Sequence, residues 1–209
     1  MALFIFNNME NEMFKYLSKV FKENGFSIFA VGGTIRDELL GLEVFDFDFT
    51  TDATPEEMLK FLPNGDPVFA KFGCIKYKGQ GYKADITTFR TEENYVDFRH
   101  PAEVKFVKTL EEDYKRRDFT INAIYKDYEG NIYDPSNGLE DLKNKVIRFI
   151  GDPETRIKED PLRILRAKRF EKNLGFKIEE NSAKAIAKLE YLLDKLNPQK
   201  VRAEAKKIR

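Results

Sequence analysis

The stretch from Val31 to Thr50, VGGTIRDELLGLEVFDFDFT, constrains the fold of this chain more than any other. It predicts a strand end, a Gly-Gly turn, a short helix over 35–40 and a second strand that carries Asp46 and Asp48. Because side chains alternate along a strand, the two carboxylates share one face and the neighbouring phenylalanines point into a core. Two adjacent like charges are tolerable when a divalent cation lies between them, and such oxygen ligands suit Mg²⁺.

The Gly-Gly turn before the helix predicts an anion site. Main-chain N–H groups of Gly32 and Gly33 at a helix start can bind a polyphosphate, and Arg36 adds a charged fork for phosphate oxygens. Each feature alone is common, since most Asp-x-Asp pairs lie on solvated strand faces and Gly-Gly often precedes a helix. Their order and close spacing together indicate nucleotidyl transfer.

Patterns on either side predict the elements that support this stretch. Apolar residues at helical spacing indicate a helix over 9–24, and Thr54 followed by Pro55 indicates a helix start. Residues 67–90 alternate as strands separated by glycines. In the third of these strands Asp85 is predicted to face the first two carboxylates from a neighbouring strand; the alternative is a solvent-facing edge position.

Three motifs resemble those of the class II (bacterial-type) tRNA CCA-adding nucleotidyltransferases and their poly(A) polymerase relatives. They occur in that family's order, and they are VGGTIRDELLG with DFDFT, RRDFTINA (116–123) and EDPLRILRAKRF (159–170). The resemblance extends from about Ile28 to the C-terminus. It implies an α/β fold with the mixed sheet and flanking helices of the nucleotidyltransferase superfamily, followed by a small all-α neck. We expect a catalytic head over 1–150 and a nucleobase-recognising neck over 151–209.

The resemblance also implies a reaction, which is the template-independent addition of C, A or both to the 3′ end of tRNA from CTP and ATP. It assigns catalysis to Asp46, Asp48 and Asp85, and it makes Asp46 and Asp48 the ligands of two Mg²⁺ ions. One ion would acidify the attacking 3′-hydroxyl and the other would stabilise charge on the triphosphate.

Adjacent arginines are usually plain surface charge, but Arg116 and Arg117 precede Asp118 and Asn122 in the spacing of the family's ribose-recognising motif. A carboxylate or amide there can hydrogen-bond the 2′- and 3′-hydroxyls of an incoming nucleotide, which favours ribonucleotides. Residues 119–128 are predicted to form a strand.

The motif EDPLR resembles the family's amino-acid template for the base. Asp160 would accept from the exocyclic amino group of cytosine or adenine, and Arg163 would donate to the adjacent ring nitrogen. Guanine and uracil carry a carbonyl in place of that amino group and are rejected. Arg166 is expected to reach the base or the triphosphate, and Arg169 is a neighbouring candidate. The alternative is structural: Asp160 caps a helix that starts at the next residue and pairs with Arg163.

The polar segment 91–103 is predicted to be a mobile loop. In the resembling family a loop at this place helps to select the nucleotide, and Tyr95, Asp97 and Arg99 keep the family's spacing. His100, the only histidine, has no evident acid or nucleophile partner and is given no catalytic role.

The charge distribution supports a nucleic-acid partner although the net charge is zero. Residues 1–141 carry a net charge of −9 and residues 142–209 a net charge of +9, so the second part can bind a phosphate backbone. Lysine-rich surface helices without a partner are the alternative. One cysteine, Cys74, excludes an internal disulfide. With no run of transmembrane length and no signal-peptide pattern, we expect a cytoplasmic protein without a membrane partner or an evident protein partner.

The resembling enzymes continue past the neck with helical body and tail regions, whereas this chain stops at Arg209. We expect either a shortened chain or a naturally minimal enzyme, with an intact nucleotide site and weak, salt-sensitive RNA binding. A poly(A) polymerase and an enzyme adding only CC or only A share these motifs. A small-molecule nucleotidyltransferase and a non-catalytic RNA-binding module are the rivals from other classes.

Overall fold

The computed structural model describes residues 8–44, 46–79, 81–95 and 101–208. Its strands are β1 (Ile28–Val31), β2 (Phe47–Thr51), β3 (Gly65–Phe69), β4 (Cys74–Gly79), β5 (Tyr82–Thr88), β6 (Arg90–Tyr95), β7 (Pro101–Phe106), β8 (Tyr125–Lys126), β9 (Ile132–Tyr133), β10 (Val146–Ile147) and β11 (Lys177–Ile178). Its α-helices are α1 (Asn8–Glu23), α2 (Gly33–Leu39), α3 (Pro55–Phe61), α4 (Leu110–Asp113), α5 (Gly138–Asn144), α6 (Pro153–Glu159), α7 (Leu162–Leu174), α8 (Glu180–Leu189) and α9 (Pro198–Ala205). Across these described stretches, no helix has the length and apolar character needed to cross a membrane.

A mixed sheet of seven strands carries the Asp-x-Asp segment. The strand order is β3-β4-β5-β2-β1-β8-β9. Strands β2 and β5 run parallel, and the other neighbours in this sheet are antiparallel. The predicted α/β class with a mixed sheet and flanking helices is confirmed.

The core beneath the sheet explains why these segments form where they do. Met13, Leu17 and Phe21 recur at four-residue spacing along α1 and are fully buried, so they lie on one face of the helix. On β2, Phe47 and Phe49 are buried while Asp48 between them is exposed, which is the predicted alternation. The carboxylate strand is therefore anchored through its apolar face.

The predicted start of α3 is also confirmed, because Thr54 and Glu57 form a reciprocal capping box.

The chain divides into two compact units. The first comprises residues 1–91, 104–114 and 122–135, and the second comprises 92–103, 115–121 and 136–209. The predicted division into a head and a neck at residue 150 concerns function and stays a prediction.

The second unit contains a short parallel pair, β10 with β11, in which the Lys177 N–H donates to the Lys145 carbonyl. Residues 151–208 thus form helices joined by turns, together with the two-residue strand β11.

The predicted strand over 119–128 is wrong for most of its length. Thr120–Asn122 forms a 3-10 turn, and only Tyr125–Lys126 joins the sheet. The reason is tertiary hydrogen bonding, since the Thr120 hydroxyl donates to buried Asp141 at 2.7 Å and the Thr120 N–H donates to the Arg148 carbonyl. These partners hold the main chain in a turn.

The predicted loop over 91–103 is wrong at both ends, because β6 and β7 pair as a two-stranded sheet. Asp97, Arg99 and His100 lie outside the described residues, as does Phe45.

Candidate functional site

The sheet register pairs two of the three predicted carboxylates in the first unit. Asp48 on β2 lies directly opposite Asp85 on β5, and Asp46 lies two residues before Asp48 at the entry to the strand. Directly opposed residues project to the same face of a sheet. The third carboxylate therefore comes from a neighbouring interior strand, which excludes the edge position.

Two further charges continue this line across the sheet. Lys76 on β4 lies opposite Asp85, and Asp66 on β3 lies opposite Lys76. We call Asp48, Asp85, Lys76 and Asp66 the charged row. The Lys76 ammonium donates to both Asp85 oxygens, at 2.8 and 3.0 Å. This hydrogen bond raises the pKa of Lys76, with a smaller contribution from the charge of Asp48. A cation of the chain itself thus stabilises the carboxylates.

Thr34, which sequence reasoning missed, fixes the start of the carboxylate strand to the Gly-Gly turn. Its side chain is fully buried in the first turn of α2. The hydroxyl donates to the Asp46 carbonyl at 3.1 Å and accepts from the Asp48 N–H at 2.8 Å. The only sequence signal is its position next to Gly-Gly, which does not identify a partner twelve to fourteen residues away.

Gly32 has the backbone conformation that makes this turn possible. Its φ of 69° and ψ of −135° are open to glycine and strained for residues with a Cβ. Its carbonyl accepts from the Arg36 N–H at 3.1 Å, which begins the helix. A Cβ on Gly33 would meet only ordinary contacts. The turn thus requires glycine at the first position.

The predicted phosphate ligand Arg36 is buried and bound to protein acceptors. Its guanidinium makes two 2.8 Å hydrogen bonds to the Asp37 carboxylate and a third of 2.8 Å to the Asn122 side-chain oxygen. The structure thus brings together two residues predicted from separate motifs, and Arg36 orients the amide of Asn122. Its contact with phosphate stays a prediction.

The predicted strand carries Asp48 but not Asp46, because β2 begins at Phe47 and Asp46 lies in the bend that leads into it. Both side chains are exposed, and their oxygen donors fit a hard divalent cation. Within the described part of the chain, no three His, Cys, Asp or Glu side chains gather as a metal cluster. Mg²⁺ is commonly held by one or two carboxylates together with substrate phosphates and water. These residues match that pattern.

Residues 115–121, the part of the chain with Arg116, Arg117 and Asp118 of the predicted ribose motif, belong to the second unit and are held by ion pairs. Asp118 is buried, and its carboxylate accepts from Arg166 Nε at 2.7 Å and from Nη2 of the same guanidinium. The Asp118 charge raises the pKa of Arg166, against the effect of burial. Arg116 pairs with Glu92 at 3.6 Å, and both side chains are largely buried. Arg166 thus supports the ribose motif, a role that sequence reasoning did not assign.

The predicted base template contains an acidic partner that sequence reasoning missed. Arg163 is buried, and its Nη1 donates to Glu159 Oε2 at 2.8 Å and to the Arg156 carbonyl at 2.7 Å. Asp160 ends α6, and its Oδ1 accepts from the Leu162 N–H at 3.0 Å. The assigned cap of α7 is Pro161, one residue later than the structural alternative predicted, but Asp160 still supplies the side-chain hydrogen bond at this helix start. The partner of Arg163 in the described ion pairs is Glu159 and not the Asp160 of that alternative.

Arg169, the neighbouring candidate, packs between helices. Its Nη1 lies 2.7 Å from Glu204 Oε1, and its guanidinium lies 4.8 Å from the Phe170 ring centroid. Glu204 belongs to α9, so this contact joins α9 to α7. A role of Arg169 in nucleotide binding stays a prediction.

Comparison with known proteins identifies the relatives of this chain. Residues 28–148 match the family model described as the Poly A polymerase head domain. The CCA-adding enzyme of Lactobacillus helveticus is 46% identical over 185 residues, which cover 88% of this chain and 46% of that protein. The CCA-adding enzyme of Ligilactobacillus salivarius is 43% identical over 202 residues, covering 96% and 50%.

Solved structures agree with this assignment. The crystal structure of the Bacillus stearothermophilus CCA-adding enzyme in complex with CTP matches with a TM-score of 0.88 and 35% identity, over 97% of this chain and 49% of that chain. A tRNA nucleotidyltransferase complexed with a primer tRNA and an incoming ATP analog matches with a TM-score of 0.75 and 36% identity, over 91% and 55%. The chain therefore spans about half the length of the relatives it matches. Because the family model covers more than half of its residues, the chain belongs to the Poly A polymerase head domain family.

Proposed function

We propose that this chain carries the nucleotide site of a template-independent RNA nucleotidyltransferase that adds C, A or both to the 3′ end of tRNA, with CTP and ATP as donors. The observation that carries the proposal is the register of Asp48 against Asp85. Asp46 comes two residues before Asp48 in the chain, and the Gly32 turn begins α2, the helix that precedes this strand. The relatives named CCA-adding enzymes, and the solved relatives with CTP or with primer tRNA, support these substrates.

The reaction is an attack by the RNA 3′-oxygen on the α-phosphorus of the nucleotide. The new bond joins these two atoms, the bond from the α-phosphorus to its bridging oxygen breaks, and pyrophosphate leaves. Asp46 and Asp48 would hold two Mg²⁺ ions, and Asp85 would add a third carboxylate. When bound, the ions supply charge neutralisation on the triphosphate and a lower pKa for the attacking hydroxyl. The sheet holds the carboxylates rigidly, so little reorganisation accompanies the reaction.

Base selection would come from Asp160 and Arg163. A carboxylate that accepts from the amino group of cytosine or adenine meets a carbonyl in uracil or guanine, so the wrong base leaves two acceptors opposed. Each mispaired, desolvated group costs about 1–3 kcal/mol. Glu159 supports this role, because it holds the Arg163 guanidinium in place.

Sugar and triphosphate selection would come from the other predicted residues. Asp118 and Asn122 would recognise the ribose hydroxyls, with Arg116 and Arg117 adjoining them in the same motif. Gly32, Gly33 and Arg36 would bind the triphosphate. Arg166 would bind the base or the triphosphate, with Arg169 as a neighbouring ligand.

The distribution of charge supports RNA as the acceptor. Residues 142–209 carry a net charge of +9, and contacts of lysine and arginine with phosphates weaken steeply as salt rises. We therefore propose that the region over 151–209 acts as a neck beside a catalytic head over 1–150, with RNA binding that weakens strongly between low and moderate salt. We also propose that the reaction takes place in the cytoplasm.

The test is incorporation on a tRNA transcript that lacks its last three nucleotides, with Mg²⁺ and each nucleoside triphosphate alone, then with CTP and ATP together. Two C additions followed by one A support CCA addition, and two C additions that stop support a CC-adding enzyme. Addition of a single A to a transcript ending in CC identifies an A-adding enzyme. Long A tails instead identify a poly(A) polymerase.

The rival from another class is a non-catalytic RNA-binding fragment. The clustered acids Asp46 and Asp48 argue against it, since carboxylates near RNA phosphates weaken binding unless a cation neutralises them. Absence of any incorporation with Mg²⁺, together with RNA binding that is unaffected by EDTA, would support that rival.

A further inference from the structure

Arg156 on α6 is a buried arginine to which sequence reasoning assigns no role. Its side chain is 10% exposed. Nη2 donates to the main-chain carbonyls of Arg116 and Arg117, at 2.5 and 3.0 Å. One guanidinium nitrogen thus binds two consecutive carbonyls of the predicted ribose motif, immediately before Asp118.

The other terminal nitrogen of Arg156 acts on the predicted base template. Nη1 donates to Glu159 Oε2, the same oxygen that accepts from Arg163 Nη1. The Arg156 carbonyl also accepts from Arg163 Nη1, at 2.7 Å. Two arginines therefore share one carboxylate oxygen, and the orientation of the Arg163 guanidinium depends on Arg156 through its side chain and its main chain. We call Arg156, Glu159 and Arg163 the arginine cluster.

All these groups belong to the second unit. The arginine cluster links two segments that are about forty residues apart in sequence. In the proposed function these segments recognise different parts of the nucleotide. Buried, charge-assisted hydrogen bonds are short and directional. Removing one partner leaves carbonyls and a carboxylate desolvated without their donor. Both segments would then relax together.

We infer that Arg156 is a positioning residue that sets ribose selection and base selection at once. It touches no substrate in this assignment; it holds the main chain before Asp118 and, through Glu159, the guanidinium of Arg163. The inference rests on the proposed function, since both forms of selection belong to it. It predicts a coupled loss that a residue serving only one motif would not cause.

The experiment measures the affinity of the chain for CTP, UTP and dCTP by isothermal titration calorimetry with Mg²⁺. Arg156→Met is expected to lower both the CTP/UTP and the CTP/dCTP affinity ratios by about tenfold, the equivalent of roughly 1.4 kcal/mol for each. Arg156→Lys keeps the positive charge but loses the planar, two-sided donor geometry of the guanidinium. It is expected to lower both affinity ratios by less than Arg156→Met does. Glu159→Gln is expected to lower the CTP/UTP ratio and to leave the CTP/dCTP ratio unchanged.

The matched control is Lys188→Met. Lys188 on α8 donates to both carboxylate oxygens of Glu154 on α6, at 2.7 and 2.9 Å, but in the hydrogen bonds described it contacts neither the base template nor the ribose motif. Both affinity ratios should therefore stay at the wild-type values. Thermal unfolding shows whether each variant is folded. If Arg156→Met does not fold, the affinity ratios of Arg156→Lys and Glu159→Gln test the inference.

Three outcomes overturn the inference: both ratios stay unchanged in the folded Arg156 variants, only one ratio falls, or all three affinities fall equally. The last outcome would mean a merely structural role. A wild-type chain that binds CTP and UTP equally would instead contradict the proposed function, so the two failures are distinguishable.

Discussion

The two units position the carboxylates of the proposed nucleotide site in different ways. In the first unit the main chain sets the geometry, because Asp48 and Asp85 face each other through strand register and the Thr34 hydroxyl fixes the main chain of Asp46 and Asp48. In the second unit side chains set it, because Asp118 and Glu159 accept from buried or half-buried arginines. A substitution in the first unit can therefore remove chemistry while leaving geometry intact. A substitution in the second unit alters the position of its neighbours.

Asp48→Asn tests this contrast with the largest expected effect. Loss of one carboxylate from the proposed metal site should lower nucleotide incorporation by about 10³-fold or more, since several kcal/mol of charge stabilisation depend on it. Asp46→Asn should lower nucleotide incorporation by a similar factor. The free energy of unfolding should change little, because the exposed side chain is replaced by an isostere and the lost attraction to Lys76 offsets the relieved repulsion from Asp85. Incorporation of labelled CTP and urea unfolding provide the two readouts.

Asp66→Asn is the matched control for that prediction. Asp66 lies in the charged row at the edge strand β3, and it has no assigned role in transfer. Its substitution should leave incorporation within about twofold of wild type. Full incorporation by Asp48→Asn would contradict both the proposed function and the contrast drawn between the units.

Asp160→Asn tests the base template in the second unit. An amide can turn its N–H toward the uracil carbonyl, so the preference for CTP over UTP should fall by about 10- to 100-fold, corresponding to 1–3 kcal/mol. Single-turnover incorporation of each nucleotide measures it. Asp152→Asn is the control, because Asp152 caps α6 through the Thr155 N–H and asparagine caps a helix equally well. An unchanged preference in Asp160→Asn would remove Asp160 from the template.

The two units also differ in how much of their structure the sequence predicts. Strand alternation predicted the face of β2 that carries Asp48, because a period of two leaves little freedom once Phe47 and Phe49 are buried. That Asp85 faces Asp48 came from the functional hypothesis and the resemblance, since alternation does not say which strands are neighbours. The motif residues of the second unit were identified by resemblance, but their partners were not.

Arg156 and Glu159 illustrate why those partners were missed. With Arg163 they form an R-x-x-E-x-x-x-R spacing that resembles one face of a continuous helix. The chain instead breaks between α6 and α7, and Arg156 binds carbonyls of a distant turn. The Arg156–Glu159 and Glu159–Arg163 pairs do follow the local spacing. The contacts of Arg156 with the carbonyls of Arg116 and Arg117 depend on tertiary packing, and local periodicity carries no signal for them.

Thr34→Val tests whether the main chain sets the geometry of the first unit. The change removes the hydroxyl that joins the Asp46 carbonyl to the Asp48 N–H, and about 1–3 kcal/mol of stability should be lost with it. Incorporation should fall by about tenfold with an unchanged CTP/UTP preference, because the carboxylates shift while the base template does not. Thr34→Ser should restore activity.

Thr50→Val separates stability from positioning. Thr50 is also fully buried on β2, and its hydroxyl donates to the Thr87 carbonyl at 2.9 Å. It should lose similar stability without the tenfold loss of incorporation. Equal activity losses in Thr34→Val and Thr50→Val would show that general destabilisation, and not the Thr34 bridge, governs the rate.

Glu179→Gln tests whether carboxylates of the second unit stabilise the fold itself. Burial raises the pKa of Glu179, but hydrogen bonds from the main chain of Asn181 and Ser182, from the Ser182 hydroxyl and the charge of Arg148 outweigh it, so the pKa lies below its usual value of 4.5. A depressed pKa in the folded state contributes stability that is present above 4.5 and is lost as the pH falls through the folded-state value. The variant should therefore be less stable than wild type at pH 7, by about 0.5 kcal/mol for a carboxylate at a helix N-terminus.

That difference should shrink as the pH is lowered below 4.5, because protonation makes the wild-type side chain neutral as well. Urea unfolding at pH 7, 5 and 4 measures it. Glu180→Gln is the control, since the Glu180 side chain is 79% exposed in the same helix and pairs only with Lys184 in the ion pairs described, and a smaller pH-dependent change is expected there. A constant difference at all three pH values would mean that shape, and not charge, is what Glu179 contributes. The charge of Glu179 would then make no contribution to the free energy of unfolding. The second unit would resemble the first, where the charge of the carboxylates is expected to affect ligand binding and not folding.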